Sequence, residues 1–193
     1  MANYIFKKDT YEVREQLSSF IYKVAKDEKD YIVFDFKDNP EGFSDFKFAQ
    51  KRLRNSGIQI PNLVALDKKN RFAILEYVDG PTGLDLLDKG DIEDIVFEQL
   101  FALNYKARIN NMRLDFHPHK FRFFNNKLYY LPFTFTAYIR KEDFTEKELN
   151  LWFYSKTGTD NLLAHGYAIN KNRIGSEFET NKKMVLTVVK YFR

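Results

Sequence analysis

The chain has 193 residues, 44% of them hydrophobic and 30% charged, which is enough apolar material for one or two small domains with a real core. A net charge of +4, with basic and acidic residues interspersed, gives no block of the kind that nucleic-acid binding needs, and the absence of cysteine excludes disulfides and thiolate metal sites. The opening MANYIFKKDT has no apolar run and no stretch reaches the ~18 apolar residues of a membrane span, so the expected compartment is the cytoplasm.

In chain order, residues 4–7 read as a short strand. Asp9-Thr10-Tyr11-Glu12 has capping-box spacing, and Val13, Leu17, Phe20, Ile21 and Val24 share a helical face, which predicts a helix over about 10–27. YIVFDF (31–36) predicts a buried strand interrupted by Asp35. A second helix is expected over about 43–55, with Phe43, Phe46, Ala49 and Leu53 on its inner face and Gly57 as its stop. Residues 63–77 read as a hairpin around a charged turn at 67–70.

Gly80-Pro81-Thr82-Gly83 then breaks the pattern as a hinge does, and the composition shifts from strands to helices. A short helical turn follows at 84–87. Asp91 is positioned to cap a longer helix to about Ile109, with Ile92, Ile95, Val96, Leu100 and Leu103 inward. After an acidic loop, residues 122–124 and 128–131 form a second hairpin across Asn125-Asn126. Thr145-Glu146-Lys147-Glu148 has capping-box spacing before Leu149, Trp152 and Phe153. Helices are predicted at 160–164, stopped at Gly166, and from Thr180 or Asn181 through Met184, Val185, Val188 and Val189.

The stretch LDFHPHKFRFFNNKLYYLPFT (114–134) resembles the catalytic loop and metal-binding strand of the protein-kinase-like superfamily, in particular its small RIO, Bud32 and lipopolysaccharide-kinase group. YIVFDFKDNPEGFSDFKFAQKRLRNSGIQIPNLVALDKKNRFAILEYVDGPTGLDLL is similar to that group's third strand, C helix, next two strands and hinge. The resemblance covers about residues 31–136 and implies an α+β, kinase-like fold: an N-terminal lobe over 1–79, a hinge over 80–83, and a reduced, mainly helical lobe over 84–193 with an embedded hairpin.

Carried over residue by residue, it implies a degenerate site. Phosphoryl transfer needs a Lys to hold phosphates, a Glu to orient it, an Asp to position the acceptor, and an Asn and a second Asp for the metal ions. The lysine position is filled by Asp35 and the glutamate position by Phe46, while the positioning acid is kept as Asp115, followed by His117 and Pro118. Lys120 stands five residues after Asp115 and Pro132 seventeen after it, and neither offers Mg²⁺ a side-chain oxygen. No glycine precedes Gly42, so a Gly-rich phosphate cover is absent. Two register shifts would restore part of the set: Lys37, on the strand face of Asp35, in place of Asp35, and Asp143 in place of Pro132.

The resemblance therefore implies a pseudokinase that works through an unknown protein partner or a small-molecule ligand in a cleft between the lobes. Asp35, Lys37, Glu76, Tyr77, Val78 and Lys120 are the candidate cleft residues, and no metal ligands are assigned. The alternative is an atypical phosphotransferase, acting on a protein, small molecule or saccharide, in which Asp115 is catalytic and ATP and Mg²⁺ are the cofactors.

Other constellations carry less. Asp115, His117 and His119 are metal-ligand types, but the His-Pro-His spacing suits a loop in which His117 packs and hydrogen-bonds locally. His165 before Gly166 reads as a helix C-terminal residue. Lys47, Lys51, Arg52 and Arg54 form a basic helix face, read as solvated surface, with nucleic-acid binding as a third and lesser function. Tyr129, Tyr130, Phe133 and Phe135 alternate, with one face assigned to the core.

Overall fold

The computed structural model describes residues 3–90 and 92–192. Its elements divide the chain into two compact units, Met1–Arg52 with Ile60–Val78, and Leu53–Gln59 with Asp79–Arg193. The class is α+β, as the sequence implies: an N-terminal antiparallel sheet and a helical C-terminal part.

The first unit is a six-stranded sheet with one helix. Strands β1 (Tyr4–Phe6), β2 (Asp9–Gln16), β3 (Ile21–Lys26) and β4 (Lys29–Asp35) follow one another as hairpins. Helix α1 (Pro40–Asn55) then crosses to β5 (Leu63–Asp67) and β6 (Phe72–Glu76), and β6 inserts beside β4, giving the order β1-β2-β3-β4-β6-β5. One sheet face buries Tyr11, Val24, Val33, Ala65, Phe72 and Ile74. On the other side Phe34 and Phe36 stack against Phe43 and Phe46 of α1, with ring centroids 5.3 to 5.8 Å apart. Phe43, Phe46, Ala49 and Leu53 are all buried, so the inner face of α1 is the one its sequence spacing marks.

The helix expected over 10–27 is instead the β2–β3 hairpin. Leu17 and Phe20, two members of the supposed inner stripe, lie 48% and 43% exposed at its tip. The residues that bury are Tyr11, Val13, Tyr22 and Val24, spaced by two on each strand. Asp9 caps nothing; its carboxylate pairs with Lys26 at 2.8 Å.

In the second unit, α2 (Gly83–Lys89) starts on a true capping box: the Thr82 hydroxyl accepts from the Asp85 amide, and the Asp85 carboxylate accepts from the Thr82 amide. Helix α3 (Asp94–Ile109) follows, with Glu93 at its N-cap; the cap assigned to Asp91 lies outside the described residues. The stripe Val96, Leu100 and Leu103 is buried as its spacing suggests, joined by Phe97, Phe101, Asn104 and Ala107. Next come β7 (Met112–Arg113), the hairpin β8 (Phe121–Phe124) and β9 (Lys127–Tyr130), and β10 (Thr136–Ala137), which pairs back onto β7. Asn125 and Asn126 both take positive φ, 49° and 57°, the geometry of a two-residue hairpin turn.

Helices α4 (Phe144–Lys147), α5 (Lys156–Ala164) and α6 (Glu177–Tyr191) complete the chain. Their caps are Asp143, Ser155 and Ser176, so α4, α5 and α6 each begin earlier than the sequence reading placed them. The Thr145–Glu148 spacing is not the cap, because Asp143 Oδ1 already takes the Thr145 amide at 3.1 Å. On α6 Met184, Val188 and Tyr191 are half-buried, while Val185 and Val189 are exposed.

Candidate functional site

The acidic loop between β7 and β8 is built by strict alternation. Met112, Leu114, Phe116 and Pro118 are buried, and Arg113, Asp115 and His117 between them, with His119 after them, are only half-buried. The strand Met112–Arg113 and the extended backbone at His117 send successive side chains to opposite sides, so the apolar set anchors the loop while Arg113, Asp115 and His117 emerge together; His119 follows in the 3-10 turn Pro118–Lys120. Phe116 is fixed by the Phe144 and Phe121 rings, at 4.6 and 5.6 Å, and its carbonyl accepts from Trp152 Nε1 at 2.8 Å. Gly83 of α2 passes so close to the loop that a Cβ there would stand 2.7 Å from both the Pro118 carbonyl and the Trp152 ring.

Asp115 makes three hydrogen bonds. Its amide donates to the Tyr130 hydroxyl at 3.2 Å, and that hydroxyl donates to the Thr134 carbonyl at 3.0 Å. Its Oδ1 takes the His117 amide at 3.1 Å and His117 Nδ1 at 2.6 Å. Burial raises the Asp115 carboxyl, but the amide, the imidazole and the Lys120 ammonium outweigh it and hold it below the usual carboxylate range. Burial pushes the Tyr130 phenol up to about 12, so it stays a neutral hydrogen-bonding group.

Beside this pair lies Glu148, 4% exposed, whose Oε1 accepts from Arg113 at 3.0 Å. Its Oε2 is sealed from solvent and takes no hydrogen bond of normal geometry. Burial pushes this carboxyl up against the lowering pull of the Arg113 guanidinium. One ligand atom from each of Asp115, His117 and Glu148 falls within 4.8 Å of the other two. A third ring, His119, stacks on His165 with centroids 4.5 Å apart; its Nδ1 has no partner, and burial lowers its pKa to about 4.

This fold is similar to that of the choline kinase LicA from Streptococcus pneumoniae. The match has a TM-score of 0.44 at 12% identity, over 94% of this chain and 83% of that one. No protein-family model and no curated protein sequence matches the chain.

The remaining candidates fall as follows. Asp35 ends β4, where Oδ2 accepts from the Tyr4 hydroxyl at 2.8 Å and Oδ1 from the Lys37 amide at 2.9 Å. Its neighbour Phe34 faces Phe46 of α1, so Asp35, next along the strand, points the other way. Asp35 and Phe46 thus lie on opposite sides of the sheet. Lys37 does not share the strand face of Asp35, because β4 ends at Asp35 and Lys37 lies exposed in the turn after it.

Glu76 is at the far end of the β4–β6 pairing, opposite Tyr31 while Asp35 is opposite Phe72, so the two acids are about 13 Å apart along the strands. It is held by Asn62 at 2.8 Å and Lys29 at 3.5 Å. Tyr77 lies under the Lys23 ammonium at 4.5 Å, and Val78 is buried.

Lys120 ends the 3-10 turn Pro118–Lys120, with its amide on the His117 carbonyl and its own carbonyl taking the Leu131 amide, both at 2.9 Å. Asp143 is buried and committed: its oxygens take the Thr145 amide and hydroxyl, the Asn104 amide and the Tyr138 hydroxyl. It is a structural acid and not a free substitute for Pro132. His117 hydrogen-bonds within its own loop, and His165 caps α5 with Nδ1 2.8 Å from the Asn161 carbonyl oxygen, as read from the sequence. In the sequence Glu148 stands only at the end of a capping spacing. Nothing local marks it, since its role comes from Arg113 and the acidic loop packing against it.

Proposed function

We propose that this chain is a degenerate kinase-like protein that works by binding a ligand or partner and does not transfer phosphoryl groups in the ordinary way. The observation that carries the reading is the state of Asp115. The one acid kept from the kinase pattern has its Oδ1 tied to the amide and imidazole of His117 and its basicity lowered, the reverse of what a group accepting a hydroxyl proton needs. The residue types at positions 35, 46, 120 and 132 support the same reading.

One feature favours the alternative of an atypical ATP-dependent phosphotransferase: the Asp115 side chain is 41% exposed and open to an acceptor. Thermal-shift and calorimetric titration with ATP and GTP, with Mg²⁺ or Mn²⁺ and against metal alone, separates the two. The expected result is no metal-dependent nucleotide effect beyond that of the metal. Nucleotide stabilisation lost in Asp115→Asn, with transfer of the γ-phosphoryl group, overturns the proposal.

A further inference from the structure

We propose that Asp115, His117 and Glu148 bind one divalent first-row transition-metal ion of the Zn²⁺ and Mn²⁺ class. The inference does not rest on kinase ancestry. The positions that ancestry would give to metal are Lys120 and Pro132, whereas this set draws on Glu148, just after α4.

Geometry is the first support. The three ligand atoms already lie within 4.8 Å of one another, while two donors on one ion at bond lengths of about 2.0 to 2.2 Å are separated by about 3.3 to 4.3 Å. For both Asp115 and His117 to ligate one ion, the 2.6 Å hydrogen bond between Asp115 Oδ1 and His117 Nδ1 has to open; the two side chains are 41% and 43% exposed, which leaves room for that change and for water in the coordination shell.

The second support is Glu148. A carboxylate oxygen sealed inside a protein normally has a donor, because leaving it bare costs about 1 to 3 kcal/mol or more. Glu148 Oε2 has none of normal geometry, in a side chain only 6% exposed; Arg113 holds the other oxygen, and the Phe116 amide acts on the carboxylate only from outside that geometry. An ion at the cluster, bound through Oε2, would supply the missing partner. Arg113 does not by itself cancel the site's charge, since it is shared between Glu148 at 3.0 Å and Glu142 at 3.6 Å, and Lys120 lies near Asp115.

Donor chemistry sets the metal class. One imidazole with two carboxylates and no thiolate suits Zn²⁺ or Mn²⁺, and the nitrogen disfavours Mg²⁺ and Ca²⁺, which prefer oxygen alone. His119 and His165, stacked 4.5 Å apart, are the competing locus.

The test is equilibrium dialysis of the full chain, stripped with chelator, against ZnCl₂ with MgCl₂ as competitor, and Co²⁺ absorption as a report on nitrogen ligation. One ion per chain is expected, unaffected by excess Mg²⁺. Affinity should fall about tenfold or more in His117→Gln and Asp115→Asn and remain unchanged in His119→Gln and His165→Gln. Should Glu148→Gln fail to fold for want of a partner for Arg113, the two half-exposed variants decide. No uptake by the wild type overturns the proposal, as does equal competition by Mg²⁺ or binding that His117→Gln keeps and His119→Gln loses.

Discussion

The indole of Trp152 donates to the carbonyl of Phe116 at 2.8 Å, and both residues are 1% exposed. This bond pins the acidic loop from the inside, one residue after Asp115. Trp152→Phe keeps most of the apolar volume but leaves the Phe116 carbonyl buried and bare. It should cost about 1 to 3 kcal/mol, and Trp152→Ala about 3 to 5 kcal/mol, in urea unfolding. Because the chain has one tryptophan, circular dichroism is the probe to use.

His119 gives the pH dependence. Its pKa is lowered from 6.5 to about 4 in the fold, by burial first and then by the Lys120 and His165 charges. Between those values the unfolded chain binds the extra proton, so its contribution to stability is complete above about pH 6.5 and is lost as pH falls through about 4. His119→Gln should flatten this part of a melting-temperature profile measured from pH 7 to 4. A profile of unchanged slope would show that the ring protonates freely in the fold.

Asp143 should behave as a structural acid. Asp143→Ala strips partners from Asn104, Tyr138 and Thr145 at once and removes the cap of α4, with an expected loss of about 2 to 4 kcal/mol. Asp143→Asn keeps an acceptor and should lose less. Zn²⁺ uptake by the Asn variant should equal that of the parent chain.

Close approach makes Gly158 intolerant. A Cβ there would stand 2.0 Å from the Phe153 carbonyl oxygen, a backbone atom that cannot swing aside, so Gly158→Ala should cost about 1 to 3 kcal/mol by forcing the start of α5 to shift. Gly90, whose added Cβ would meet nothing within 4 Å, is the control, and Gly90→Ala should stay within about 0.5 kcal/mol.

The legible parts of the fold were those where one periodicity had no rival. On α1, Phe43, Phe46, Ala49 and Leu53 fit only a helix, and Asn125-Asn126 between apolar runs fits only a tight hairpin. Residues 10–27 failed because Val13, Leu17, Phe20, Ile21 and Val24 match a helical stripe, while the strand alternation of Tyr11, Val13, Tyr22 and Val24 is equally present and is chosen by pairing to β4. At the site, Asp115 and His117 were visible because they are neighbours in a loop. Glu148 was not: a partner brought in by tertiary packing leaves no spacing to read.

The alternation that builds the acidic loop also decides which genetic changes this protein can tolerate there. Substitutions at Arg113, Asp115, His117 or His119 act on one side chain and the groups bonded to it, on the half-buried face. A one-residue insertion or deletion between Met112 and Pro118 acts on all of them, exchanging inside for outside along the whole run. It would drive carboxylate and imidazole into the space of Leu114 and Phe116 and expel the two apolar anchors. Length variation among natural variants should therefore be confined to the turns on either side, and within the loop it should arise only in steps of two.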